Sequence, residues 1–154
     1  MKPKQMKTMS CGIIPYSVKD GVVLFFVGHP GGKPRNLWGM LKGQHEFGES
    51  FEETAVREFV EESGFDLSDY RGNLVFLGRV AQSRDKDVAA YCLYIKDISE
   101  INPDNCRSNM ADGCPWPEID DYKWICYNDI IEKTYHAHKT FYDKILNIVK
   151  NGGK

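Results

Sequence analysis

The 154-residue chain has no excess of charge of either sign: 20 Lys and Arg stand against 22 Asp and Glu, for a formal net charge of -2. Such a balance gives no global reason to embrace a nucleic-acid backbone, and small phosphorylated ligands fit it better. Long hydrophobic runs are missing too. The longest, residues 22–27, is far below the length that crosses a bilayer, and residues 11–16 are too short and interrupted for a signal-peptide core. The expected location is the cytoplasm, with no membrane partner. Cysteine is scarce and unpatterned: Cys11, Cys92, Cys106, Cys114 and Cys126 are odd in number and form no CxxC pair, so reduced thiols are expected. A zinc site joining Cys106 and Cys114 to His136 and His138 would lack the usual short ligand spacing. There is no internal repeat and no low-complexity tract. The one basic cluster, Lys2, Lys4 and Lys7, reads as a frayed terminus.

What is present fits one domain over residues 1–154, with 42% hydrophobic residues available for a core. Runs rich in branched and aromatic residues predict strands over 10–17, 21–29, 74–82, 87–96 and 122–127, with a turn near 19–21 and a hairpin near 83–86. Helices are expected over 51–63, 129–135 and 137–149. Strands around an internal helix, closed by further helices, predict an α/β fold: a mixed β-sheet with helices on both faces, an α/β/α sandwich. The polar, proline-bearing stretch 101–119 reads as a loop beside a site.

The helix over 51–63 carries the chemistry. Ser50 can cap it, with Glu53 as the capping-box partner, and Gly64 can stop it. At about 100° per residue, Glu58, Glu61 and Glu62 fall within an arc of about 100°, while Ala55, Val56, Phe59 and Val60 occupy the arc beside it. Glutamates on a helix are usually a solvated face paired to Lys or Arg at i+4, but these three are followed at that spacing by Glu62, Phe65 and Asp66. Crowded carboxylates repel and hold protons unless a cation offsets them. A hard divalent ion such as Mg²⁺ or Mn²⁺ suits oxygen ligands and is commonly shared with substrate phosphates. That points to phosphate chemistry.

The wider segment is GQHEFGESFEETAVREFVEESGF: Gly43, five residues, Glu49, seven residues, Arg57-Glu58, apolar Phe59, one residue, Glu61-Glu62, one residue, Gly64 and apolar Phe65. It resembles the Nudix box at nine specified positions over 23 residues. The resemblance implies a loop-helix-loop that binds Mg²⁺ or Mn²⁺ and hydrolyses a nucleoside diphosphate linked to another moiety. It makes Glu58, Glu61 and Glu62 the metal-binding carboxylates, one of them a possible base toward water. Glu49 and Arg57 support them, Arg57 holding Glu49 by a charge-assisted bond. A backbone carbonyl near Lys42 or Gly43 would complete the metal shell, and some members recruit a further loop carboxylate. Glu118 is the first candidate, with Asp112, Asp120 and Asp121 behind it.

Ahead of the box, VGHPGGKPRNLWGMLKG is similar to family members with a HPGG loop and a Trp-x-x-x-Lys-Gly approach, although Met40 and Leu41 depart from it. His29, Lys33, Arg35 and above all Lys42 are candidates for substrate phosphates, and Trp38 for the substrate's ring, unranked beside Tyr16, Tyr91, Trp116 and Trp124, each of which packing would also explain. Residues 79–82 are Arg-Val-Ala-Gln, without the proline common in ADP-ribose hydrolases or the tyrosine of one class of dinucleoside polyphosphate hydrolases. CPWPEID does not complete the longer pattern of NADH-type members. The expected substrates are nucleoside triphosphates, dinucleoside polyphosphates, and ADP-ribose or related nucleotide sugars, in that order. Removal of an RNA 5′ cap or pyrophosphate and non-catalytic nucleotide sensing are the alternatives. Homodimers are frequent in this family.

Overall fold

In the computed structural model of the protein, residues 7–152 are described, so Lys2 and Lys4 of the terminal cluster lie outside the described residues. The strands are β1 (Thr8–Lys19), β2 (Val22–Pro30), β3 (Leu41–Gln44), β4 (Leu74–Ser83), β5 (Lys86–Tyr94) and β6 (Ile119–Cys126); the helices are α1 (Phe51–Ser63), α2 (Tyr127–Ile130) and α3 (Lys139–Lys150). They build one six-stranded mixed sheet in the order β4-β5-β1-β2-β6. β1 runs parallel to β5 and antiparallel to its other partners. Those partners divide its far edge: β2 pairs with Tyr16–Lys19 and β3 with Ser10–Ile13, so the sheet forks there. A lone bridge from Gly28 to Gly39 ties the two arms.

The central strands are buried on both faces, which is why they read as nearly unbroken apolar runs. Successive residues of β1 point opposite ways. Ile14 and Tyr16 join Phe25, Val88 and Cys92 under Phe141, Tyr142 and Ile145 of α3. Cys11 and Ile13 join Phe26, Ala89 and Leu93 under Ala55 and Phe59 of α1. The α/β/α sandwich expected from the sequence is what forms. All five cysteines are free, as expected, and no helix among the described residues is long and apolar enough to cross a membrane.

Three local expectations need correction. β3 was not foreseen, because Leu-Lys-Gly-Gln has little strand propensity; pairing with β1 alone makes it a strand. The helix expected over 129–135 is displaced to Tyr127–Ile130, and the following turn is drawn into the bond from the Trp38 amide to the Lys133 carbonyl, 3.0 Å. The loop expected over 101–119 forms, but it holds a short 3-10 turn at Pro103–Asn105 and ends one residue early, because Ile119 already belongs to β6.

Candidate active site

Helix α1 begins and ends on the expected residues. Ser50 accepts from the Glu53 amide while the Glu53 carboxylate accepts from the Ser50 amide, and Gly64 closes the helix at φ 72. The packing arc is shifted from the expected one. Val60 is 39% exposed, whereas Glu62 is only 5% exposed. The three carboxylates therefore descend a burial gradient, with Glu61 exposed, Glu58 half-buried and Glu62 buried.

Arg57 organises the outer part of this array. Its Nε lies 2.7 Å from Glu49 Oε2 and its Nη2 lies 3.0 Å from Glu49 Oε1, a two-pronged clasp. Nη1 donates to Glu58 Oε1 at 2.8 Å and stands 3.5 Å from Glu61 Oε1. Glu61 thus does have a basic neighbour, four residues before it rather than after. The Thr54 hydroxyl and the Glu46 amide also donate to Glu49. With Arg57 as the largest cause, these bonds hold the Glu49 carboxyl down at about 2.

The inner part has no such relief. Burial above all, then Glu58 and Glu118, pushes the Glu62 carboxyl up to about 9, and its Oε1 is buried without a hydrogen-bond partner. Burial also raises Glu58, against the opposing pull of Arg57. Glu58 lies flat on Gly43: a Cβ there would stand 1.9 Å from the Glu58 carboxyl carbon, so only glycine lets strand and carboxylate approach this closely.

The segment before β6 is stitched to the end of α1. The amides of Arg107 and Asn109 donate to the carbonyls of Ser63 and Glu61, and Tyr122 Oη donates to the Glu62 carbonyl. These bonds satisfy carbonyls that a helix end leaves open. The Glu118 backbone is clamped in turn, its amide on the Asn109 carbonyl and its carbonyl on the Gly31 amide. Glu118 consequently faces Glu62 across a cleft of about 560 Å³ that Gly43, Arg57, Glu58, Glu61 and Asp112 also line.

A second cavity of about 260 Å³ opens beside the cleft, at the fork of the sheet. Gly28, Trp38, Gly39 and Met40 line it, together with Lys33, Tyr135, His138 and Lys86. Lys42, Glu62 and Glu118 belong to both spaces and form their common wall. Burial and the neighbouring Lys86 lower the Lys42 ammonium to about 8, although Glu62 and Glu118 pull the other way.

The remaining candidates are placed differently. His29 is 1% exposed, with Nδ1 2.6 Å from Asp120 Oδ1 and Nε2 2.9 Å from the Pro34 carbonyl, so it has no free nitrogen for a phosphate. Arg35 reaches Asp120 and Asp121, which draws those two acids away from the cleft. Trp38 is sandwiched, its Nε1 on the Arg35 carbonyl and the Lys123 ammonium 3.9 Å from its ring centre. Cys106 is buried in the core and His138 bonds Gln82, so the notional zinc set does not gather. Sequence reading missed Lys86, Asn109 and Tyr135, and met His138 only as a notional zinc ligand. Each arrives through a strand pairing or a turn, with no local motif to flag it.

The NUDIX domain family model matches residues 6–145. No curated protein sequence matches the chain. Among solved structures, the binary complex of the C. elegans Ap4A hydrolase superposes with a TM-score of 0.69 at 18% identity, covering 94% of this chain and 98% of that one. The NUDIX domain of Shewanella oneidensis NrtR, in complex with ADP ribose, gives 0.66 at 16% identity, covering 96% and 90%. The bifunctional NMN adenylyltransferase/ADP ribose pyrophosphatase of Francisella tularensis, complexed with AMP and a Mn ion, gives 0.63 at 17% identity, covering 99% of this chain and 44% of that one. These likenesses establish the fold, and the family match spans nearly the whole chain. The chain belongs to the Nudix family of pyrophosphohydrolases.

Proposed function

We propose that the acidic cleft hydrolyses a pyrophosphate bond in a nucleoside diphosphate linked to another moiety, with Mg²⁺ or Mn²⁺ bound by the carboxylates of α1. The observation that carries this reading is Glu62: a buried carboxylate whose Oε1 has no partner, between Glu58 and Glu118, fits a hard cation and little else. The donor set is all oxygen, and Gly43 leaves room beside Glu58. Among the described residues no group of three His, Cys, Asp or Glu side chains is close enough to hold an ion by itself, so water and substrate oxygens would have to complete its shell.

Glu58, Glu61 and Glu62 would hold the ion, with Glu118 and a carbonyl at Gly43 as further donors. When bound, the ion supplies charge neutralisation at phosphate oxygens and acidifies nearby water. Arg57 fixes Glu58 and Glu61 by holding them and Glu49 at once. One of the α1 carboxylates accepts the proton of the attacking water, for which a raised pKa is an asset. Lys42 steadies a substrate phosphate from the common wall. Nucleoside triphosphates lead as substrates, followed by dinucleoside polyphosphates and nucleotide sugars such as ADP-ribose. Mn²⁺ and nucleotide ligands in two of the structural relatives support the same class.

The test is Mg²⁺- or Mn²⁺-dependent turnover across nucleoside triphosphates, dinucleoside polyphosphates, nucleotide sugars, NADH and 5′-triphosphorylated or capped RNA, with products identified by mass. One strongly preferred substrate is expected. Glu61→Gln, which removes a charge at nearly constant shape, should lower kcat at least about a hundredfold while the fold survives. Unchanged turnover in that variant would remove α1 from the mechanism. Absence of turnover on every compound would leave a nucleotide sensor.

A further inference from the structure

The smaller cavity holds a charge that the mechanism above does not use, Lys86, beside one that it does, Lys42. Lys42 and Lys86 both line it. Among the described residues neither lysine forms an ion pair. Two ammonium groups that line one cavity repel, and such an arrangement is stabilised by an anion between them.

His138 adds an independent observation. It is 1% exposed and lines the same cavity; Nε2 bonds Gln82 Oε1 at 2.7 Å, while Nδ1 is buried with no partner. With Nε2 donating to the Gln82 oxygen, Nδ1 is left as a buried acceptor without a donor, which a ligand hydroxyl or a protonated phosphate oxygen would supply. Burial, Lys42 and Lys86 hold this imidazole neutral at ordinary pH. It therefore adds no third positive charge.

The position of the pair relative to the acidic cleft gives it a meaning. Lys42 lies on the wall common to both spaces, and Lys86 lies beyond it, on the side away from Glu58 and Glu61. Because the two spaces share this wall, a phosphate chain held over the cleft would extend toward the cavity that holds the two lysines. Resting on the hydrolytic reading above, we infer that Lys42 and Lys86 form a subsite for a phosphate beyond the cleaved bond, so that the enzyme favours substrates with three or more phosphates in a row over those with two.

Two measurements test this. The first uses no divalent ion and needs no activity: inorganic tripolyphosphate is titrated in EDTA by calorimetry, where the acidic cleft itself repels anions. Binding should weaken about tenfold in Lys86→Met, the effect of one lost phosphate contact, and recover in Lys86→Arg. The second compares steady-state kinetics of a nucleoside triphosphate and ADP-ribose. Lys86→Met should raise KM about tenfold for the triphosphate, with kcat and the ADP-ribose KM unchanged. Equal tripolyphosphate binding in wild type and Lys86→Met, or equal loss on both substrates, overturns the inference. If no substrate is turned over at all, the hydrolytic reading fails, and the metal-free titration still decides whether the lysine pair binds phosphate.

Discussion

Glu62 shows how much one side chain can reveal about what a fold is built to hold. Without a cation its carboxyl stays protonated near neutrality, because its pKa in the folded protein is about 9 against an ordinary value of 4.5. The folded protein then binds more protons than the unfolded chain throughout that interval, so its stability falls as pH rises. In EDTA, Tm should decline steadily from about pH 5 to about pH 9, Glu62→Gln should flatten the slope, and Mg²⁺ should restore most of the loss at the alkaline end. A Tm in EDTA indifferent to pH over that range would contradict the burial assigned to Glu62. The same linkage makes cation affinity rise with pH, since the ion displaces a proton. Glu58 and Glu61 were legible as a pair of acids from their spacing alone. That Glu62 would be the buried one was not, because the tilt of α1 on the sheet decides which of the two flanking arcs is covered.

At the scale of elements, α1 was almost fully readable. Its start and stop are written in Ser50, Glu53 and Gly64, and local chemistry of this kind needs no tertiary partner to be recognised. Ser50→Ala should cost about 1 kcal/mol, read by urea denaturation. Because Arg57 still clasps Glu49 at the mouth of the helix, kcat should remain within about twofold of wild type; a large fall with an unchanged m-value would show that the cap also positions the carboxylates. β3 lies at the opposite extreme. Nothing in Leu-Lys-Gly-Gln announces a strand, and only the vacant stretch of β1 beside it makes one. Lys86 was illegible for a similar reason: the parallel pairing of β1 and β5 brings it toward Lys42 from far along the chain.

The whole molecule is two apolar cores on opposite faces of one sheet, and only one of them lies under the chemistry. Phe141 is fully buried beneath α3, and Phe59 is fully buried beneath α1 beside Glu58. Truncation of either to alanine should cost about 3–5 kcal/mol by loss of packing. The two variants should nevertheless part in their kinetics. Phe141→Ala should lower stability and leave kcat of the folded fraction near wild type, whereas Phe59→Ala should lower both. Equal kinetic effects would mean that the sheet transmits strain from one face to the other.

The wall formed by Lys42, Glu62 and Glu118 has a thermodynamic consequence of its own. Since the same three side chains border the acidic cleft and the lysine cavity, occupancy of one space changes the potential felt in the other. A cation on the carboxylates would take from Lys42 the negative neighbours that partly offset it, and so would strengthen the cavity's hold on an anion. By reciprocity, an anion in the cavity strengthens the hold on the cation by the same factor. The two ligands should therefore be positively cooperative, which would be read as a Mg²⁺ half-saturation that falls as the polyphosphate concentration rises.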